Sequence, residues 1–402
     1  MSRDSGDTGS NRTVRGGVKQ KNVLIVEGHP KYFVSHRLPW ARAAREAGYE
    51  IHVTALKTGD GDLVREEGFQ YHDLAEQDRG KNPAVELRFL YRLYRLLRAL
   101  QPDLVHFITL RSVLYGALPV RLAGVPAVLN SVTGLGFLFS ENTWSVQALR
   151  WGIMQFLRFA LRHPNQITTF QNPDDAEIFV SRGVVPEEQT AVTPGSGVDP
   201  ERFRYAAETA IENGQVPIVM LPTRLLWHKG VEVFVDAARR LQAAGFDARF
   251  AMVGDTDPEN PGAVPKAQIE AWAEDGPVEW WGRQASSEMP SVLQQAHVVC
   301  LPSHYREGVP KVLIEAASCG RPIVTTDVPG CREIVNHEET GFLINPRDAE
   351  GLARRIRKLL DNPDLRRKMG QNGRSRVEEN FTAAQVADTI VECYDQLLAE
   401  TP

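Results

Sequence analysis

Two carboxylates and two cations stand where chemistry would need them. Glu307 and Glu315, with seven residues between them, lie in Cys300–Gly320, CLPSHYREGVPKVLIEAASCG. This stretch reads as a short apolar strand, a Ser/His/Tyr/Arg loop, a turn at Gly308-Val309-Pro310 and a helix. Pro310 suits the first helical position, where its missing N–H costs nothing. The amides of Val309, Lys311 and Val312 would then offer an anion seat at the helix N-terminus. One carboxylate on the loop and one inside the helix can address a ligand at two points. A ligand with hydroxyls at both ends and phosphates between them, a nucleotide sugar, fits this pattern. So does a plain helix N-terminus with an acidic neighbour and one solvated glutamate.

The cations are in Arg224-Leu225-Leu226-Trp227-His228-Lys229-Gly230, after the predicted strand 216–221 and before a predicted helix at 231–244. A guanidinium can grip a diphosphate bidentately, and an ammonium adds a compact mobile charge. Together they can neutralise charge growing on a departing diphosphate, each such donor contributing on the order of 3 kcal/mol. Asp255-Thr256-Asp257 imitates a metal-binding D-x-D, but it sits in a Pro/Gly-rich loop beside cations that already supply positive charge. It reads as a turn, with no metal assigned.

The elements that must position these residues alternate strand and helix. Val23–Val26 is a buried strand followed by the turn Gly28-His29-Pro30, a helix near 37–47 and a strand at 51–56. The turn lacks G-x-G-x-x-G, so no dinucleotide fingerprint is present. His29 and His36 are candidate ligand contacts at this edge, or ordinary surface histidines. An amphipathic helix at 84–100 leads to a strand at 104–108, the loop Thr109–Ser112, a helix at 113–123 and a strand at 127–130. The flexible loop 132–137, with Thr133 and Gly134, follows at the same edge. Strands at 166–171 and 190–192 complete the first half.

Pro194-Gly195-Ser196-Gly197-Val198-Asp199-Pro200 then breaks the pattern, and polar text to residue 215 marks a linker. The rhythm restarts with strands at 216–221, 248–254, 278–281, 297–301, 323–326, 333–335 and 341–343, and helices at 349–360, 364–380 and 383–398 close the chain. The division is a lead at 1–20, a first domain at 21–193, a linker at 194–214, a second domain at 215–382 and a last helix at 383–402.

A chain of 402 residues with 42% hydrophobic and 24% charged residues belongs to the soluble globular class with two cores. No run reaches the roughly 18 apolar residues of a membrane span. The first twenty residues are polar and Gly/Ser-rich, expected to be disordered and unlike a signal peptide. Cys300, Cys319, Cys331 and Cys393 have no C-x-x-C spacing and read as reduced thiols of a cytosolic protein. Residues 1–165 hold 22 Lys+Arg against 15 Asp+Glu, a net of +7, and the remainder holds 24 against 36, a net of −12. The basic half fits a lipid surface or a diphosphate, or scattered solvated arginines. The segment 144–163 interleaves Trp144, Trp151, Phe156 and Phe159 with Arg150, Arg158 and Arg162. It reads as a bilayer-interface helix or as a core-packing helix with a wet basic side.

The Glu-x7-Glu spacing, R-x-x-x-x-K-G and Gly197-Val198-Asp199 through Phe203 resemble the retaining GT-B glycosyltransferases of family 4, over nearly the whole chain after residue 20. The resemblance implies an α/β fold of two Rossmann-like domains facing each other across a cleft, with the last helix bracing the first domain. It assigns Glu315 to ribose hydroxyls and Glu307 to the donor sugar. Backbone amides across Gly308, Val309, Pro310 and Lys311 would hold the diphosphate with Arg224 and Lys229. Arg283 would approach the base through its backbone, and Gly254 and Gly28 would line the donor site. It implies retention, with the acceptor hydroxyl attacking from the leaving-group side and a phosphate oxygen taking its proton. No cofactor beyond the UDP-sugar substrate and no nucleic acid is implied.

Many relatives carry a histidine in the loop that here reads Thr109-Leu110-Arg111-Ser112. A bacterial branch acting on polyprenyl-diphosphate-linked sugars looks similar instead, through 132–136, 226–230 and 329–333. That branch implies transfer of N-acetylgalactosamine or another hexose to a lipid-linked saccharide, at the cytoplasmic face of an anionic membrane. Arg111, His36, Thr133 and Gly134 then become acceptor candidates. A UDP-sugar 2-epimerase of the same fold and a non-catalytic sugar-nucleotide-binding protein are the competing expectations.

Overall fold

The structure is a computed structural model that describes residues 14–15, 18–74, 83–136, 139, 144–207, 216–274 and 276–399. The loop residue 137, the linker residues 208–214 and most of the 1–20 lead therefore lie outside the described residues. Within that lead, expected to lack structure, Val14–Arg15 and Val18–Lys19 pair as a short antiparallel ladder.

Seven strands form the first sheet: β1 (Asn22–Glu27), β2 (Glu50–Ala55), β3 (Gln70–His72), β4 (Leu104–Ile108), β5 (Ala127–Val132), β6 (Gln166–Phe170) and β7 (Thr190–Val192). Their order is β3-β2-β1-β4-β5-β6-β7. Six more form the second: β8 (Ile218–Pro222), β9 (Arg249–Val253), β10 (Val278–Gly282), β11 (Val298–Leu301), β12 (Ile323–Thr326) and β13 (Gly341–Ile344). Their order is β10-β9-β8-β11-β12-β13. Every described pairing within these two sheets is parallel. Helices cover both faces of a parallel sheet, so its strands bury side chains on both sides; Val23, Leu24, Ile25 and Val26 are all buried. In each sheet the strand order reverses at one point, between β1 and β4 and between β8 and β11. Ligands bind beyond the carboxyl ends of strands at such points.

The described residues within Met1–Asn130, His163–Ile167 and Ile390–Pro402 make one compact unit, and those within Ser131–Arg162 and Thr168–Thr389 the other. The helix Ala383–Ala399 contributes its residues from Ile390 onward to the first unit. There the Tyr394 hydroxyl lies 2.8 Å from His106 Nδ1, and Lys21 Nζ donates to the Leu398 carbonyl at 2.8 Å. In the second unit, residues 194–207 are fastened along their length. Val198 N–H donates to Phe381 O at 3.0 Å and its carbonyl accepts from Ala383 N–H at 2.8 Å. Phe203 is buried, and Arg374 Nη1 donates to Pro200 O and Phe203 O. The apolar residues of this proline-rich stretch find a core to enter.

Two expectations are corrected. Leu110, Arg111 and Ser112 are not loop but the first turn of the helix Leu110–Ala123, because Thr109 caps it by accepting from Ser112 N–H. The segment expected as a strand at 333–335 is instead the short helix Cys331–Ile334.

At the first switch point a buried ion pair holds the turn after β1. Glu27 Oε2 accepts from Arg37 Nε at 3.2 Å, Oε1 accepts from Gly28 N–H at 2.7 Å, and both side chains are almost wholly buried. Burial pushes the Glu27 carboxyl up, opposed by the charge of Arg37. The Arg37 guanidinium also lies 4.5 Å over Trp40, whose ring stacks on His106. Arg37→Met should cost about 3–5 kcal/mol in denaturant unfolding, because Glu27 is left buried and unpaired. Adding Glu27→Gln should recover part of that loss.

Candidate active site

The site is built from the two loops that leave β8 and β11. After β8 the chain passes Arg224, makes a 3-10 turn at Trp227–Lys229 and enters the helix Val231–Ala243. Gly230 joins them at φ 76°, and a Cβ there would stand 2.0 Å from Pro302 O. Only glycine permits this approach, which presses the first loop against the residues following β11. His304 N–H donates to the His228 carbonyl at 3.0 Å and Ser303 Oγ lies 3.0 Å from the same oxygen, so the two loops are stitched together.

This contact delivers Lys229 to Glu307. Lys229 Nζ donates to Glu307 Oε1 at 2.7 Å, and Ser303 Oγ donates to the same oxygen at 2.8 Å. Both charged side chains are only 12% exposed. Burial alone would raise the Glu307 carboxyl, but the charge of Lys229 and the hydrogen bonds from Lys229 and Ser303 hold it below the ordinary value. Glu307 Oε2 carries no hydrogen bond from a described residue. The carboxylate therefore keeps an acceptor oxygen for a ligand hydroxyl. Burial, then the neighbouring Lys229, pushes His228 down to about 4, so its ring is neutral at physiological pH. That ring stacks on Tyr305 with centroids 4.4 Å apart.

The helix after the loop, Lys311–Ser318, starts one residue later than expected. Pro310 is its extended N-cap, not its first helical residue. The Val309 amide is no open anion donor either, since it donates to Gln171 Oε1 at 3.0 Å. Glu315 sits one turn into this helix, 3.8 Å from Lys311 Nζ, and burial pushes its carboxyl up against the pull of Lys311 and Arg202. The structure thus brings Lys229 into contact with Glu307 and Lys311 into contact with Glu315, as two separate pairs. Arg224 is exposed on the Lys229 loop; its carbonyl accepts from Leu226 N–H at 2.8 Å, and its guanidinium makes no hydrogen bond or ion pair with a described residue.

The remaining candidates divide between supporting and open positions. Gly254, at the end of β9, accepts from Trp280 Nε1 and donates to Gly282 O. Arg283 is exposed just beyond β10. Thr133 and Gly134 press on the Glu307 loop: a Cβ on Gly308 would lie 2.3 Å from Thr133 O, and one on Gly134 would lie 2.6 Å from Gly308 N. In the first unit, Gly28 is held by Glu27, and His36 lies 2.6 Å from Ser35 Oγ through Nδ1. His36 also meets the edge of Tyr32. Arg111 is exposed, its guanidinium 5.6 Å over Tyr115. Thr109 beside it holds φ 80°, a strained value for a β-branched residue. The carboxylates of Asp255 and Asp257 accept from the backbone of Thr256 and Glu259, as turn residues do. Cys300, Cys319, Cys331 and Cys393 are free and buried. Sequence reasoning missed Ser303, Gln171, Asp175 and Arg306; Ser303, two residues beyond an apolar strand at a switch point, was the one it had grounds to find.

Residues 22–172 match the glycosyl transferase 4-like family model, and residues 206–376 match glycosyl transferases group 1. The chain is thus a glycosyltransferase of GT-B fold and belongs to this family of sugar-transferring enzymes. It is 26% identical to the N,N'-diacetylbacillosaminyl-diphospho-undecaprenol alpha-1,3-N-acetylgalactosaminyltransferase of Campylobacter jejuni, across 90% of this chain and 95% of that one. It is 25% identical to the UDP-Gal:alpha-D-GlcNAc-diphosphoundecaprenol alpha-1,3-galactosyltransferase of Escherichia coli, across 77% of this chain and 79% of that one. Among solved structures it shares its fold with sucrose-phosphate synthase from Thermosynechococcus elongatus, at TM-score 0.79 and 23% identity over 94% of this chain and all of that one.

The depressed Glu307 carboxyl has a definite sign. Its stabilisation is fully present above the ordinary value of 4.5 and is lost as pH falls through the lower folded value. Acid unfolding followed by circular dichroism should therefore show wild type losing stability below pH about 4.5 more steeply than Glu307→Gln.

Proposed function

We propose that this enzyme moves a sugar, N-acetylgalactosamine or another hexose, from a UDP-sugar to a polyprenyl-diphosphate-linked saccharide, with retention and without a metal. The observation that carries this reading is the Lys229–Glu307 contact at the second switch point, with Glu307 Oε2 open and Arg224 exposed on the same loop. Lys229 and Arg224 would take the diphosphate, and Glu307 the hydroxyls of the donor sugar. Glu315 would take the ribose, with the amides of Gly308 and Lys311 near the phosphates and Arg283 and Gly254 toward the base. The bond from the anomeric carbon to the phosphate oxygen breaks, the acceptor oxygen bonds to that carbon on the same face, and the departing phosphate takes the acceptor proton. Stabilising the leaving charge and aligning the reactants are the two tasks of such a site.

The two lipid-linked-sugar relatives support a polyprenyl-diphosphate acceptor, and we assign it to residues 21–193, with Arg111 and His36 as contacts. The donor falls to 215–382, with 194–214 joining the two and 383–402 as the closing helix. A panel of UDP-sugars offered with polyprenyl-diphosphate mono- and disaccharides should give one preferred pair. Glu307→Ala should cut its turnover by about 10²–10³-fold. Epimer formation from UDP-sugar without acceptor, or full turnover by Glu307→Ala, would overturn the reading.

A membrane surface would present such an acceptor. The helix Trp144–Ala160 leaves Trp144 84% and Trp151 69% exposed, with Arg150 and Arg158 on the same helix. No acidic residue occurs between Glu141 and Asp174. Exposed tryptophans among cations suit the interface of an anionic leaflet, so we place the enzyme peripherally on the inner face. No helix among the described residues is long and apolar enough to cross a membrane. In flotation assays the enzyme should follow phosphatidylglycerol vesicles and not neutral ones, and Trp144→Ser/Trp151→Ser should abolish that preference.

A further inference from the structure

The loop that carries Glu307 is gripped on both sides of that residue by a single short segment, Gln171–Asp175, at the junction of β6 and the helix Pro173–Ser181. Before Glu307, Arg306 donates from Nε and Nη2 to Asp175 Oδ1 at 3.3 and 3.0 Å. Asp175 is 1% exposed, and its other oxygen accepts from Asn172 Nδ2 at 3.1 Å. At Glu307 itself, Asn172 Nδ2 reaches the carbonyl at 3.4 Å. After it, the Val309 amide donates to Gln171 Oε1 at 3.0 Å. Between these ties Gly308 is packed so closely that a Cβ would lie 2.1 Å from Gln171 Oε1, while a Cβ on Gly330 would lie 2.0 Å from Gly308 O.

We propose that Asp175 and Gln171 are positioning residues, which fix the backbone from Arg306 to Val309 so that Glu307 is presented to the donor sugar. The inference rests on the reading of Glu307 given above. Asp175 is buried, and Arg306 supplies the charge that makes its ionised form tolerable there, so the pair behaves as a rigid strut and not as a surface salt bridge. The Glu307 side chain makes no hydrogen bond to this segment and takes its hydrogen bonds from Lys229 and Ser303 among the described residues. Backbone and side chain are thus held from different directions. A shift of the strut by a fraction of an ångström would turn the carboxylate away from the donor sugar.

The test compares Asp175→Asn with wild type for kcat and KM on the preferred UDP-sugar and for calorimetric binding of UDP, which lacks the sugar that Glu307 addresses. Asp175→Asn should lower kcat by about 10-fold or more while UDP affinity stays within about threefold. Arg306→Gln should do the same, and the double variant should be no worse than either, because the two residues act as one unit. Should Asp175→Asn fail to fold, Gln171→Met removes the tie to Val309 with little change of volume and should show the same split. Wild-type kcat in these variants, or parallel loss of kcat and UDP affinity, would overturn the positioning role alone. A wild-type enzyme that neither binds UDP nor turns over a UDP-sugar would overturn the donor reading and this role with it.

Discussion

A lysine and a glutamate removed from water are stable together and costly apart, and the second sheet is arranged around that constraint. The desolvation cost of each charge is several kcal/mol and is recovered only when geometry is good and the remaining polar atoms are satisfied. Here Ser303 supplies the second bond to the carboxylate. The approach of Gly230 to Pro302 lets the two loops lie close enough for a 2.7 Å contact. The pair occupies the switch point because only there do the loops after β8 and β11 diverge and leave room beyond the strand ends.

The first sheet shows the same topology put to a different use. Its switch point also carries a carboxylate and a cation, Glu27 and Arg37, but every Glu27 oxygen is engaged and neither side chain reaches solvent. That pair shapes the turn at Gly28 and anchors a line of aromatic contacts through Trp40 and His106 to Tyr394 of the last helix. Burial, then the charge of Arg37, pushes His106 down to about 3, so no third charge enters this core. Saturation makes Glu27 a structural group. The open oxygen and partial exposure of Glu307 make it available for chemistry.

Much of this was legible in the sequence, and the misses have physical causes. Alternating apolar runs and turn residues located both sheets, since parallel strands buried on two faces leave a period that survives without tertiary information. The Lys229 and Glu307 loops were legible because cations and acids after apolar strands fall at the ligand edge. The helix start at Leu110 was hidden because its cap, Thr109, adopts a left-handed φ that threonine rarely takes. The short helix Cys331–Ile334 was hidden because four residues carry no period. Gln171 and Asp175 were invisible for another reason. Their partners are Val309 and Arg306, more than a hundred positions away, and an amide or a carboxylate says nothing by itself of what it will meet.

The resting pair also bears on what the site will accept under the proposed reading. Lys229 cannot move to a diphosphate without leaving Glu307, and the carboxylate cannot stay ionised in that environment with Ser303 as its sole donor at no cost. A ligand bringing phosphate alone satisfies the cations and strands the acid. A ligand bringing sugar hydroxyls alone satisfies the acid and leaves the lysine where it was. Only a molecule carrying both, spaced by one glycosidic bond, exchanges every interaction of the resting pair for one of its own. Selection of the whole sugar diphosphate over its fragments then follows from the pairing itself, before any contact with the base or the acceptor is counted.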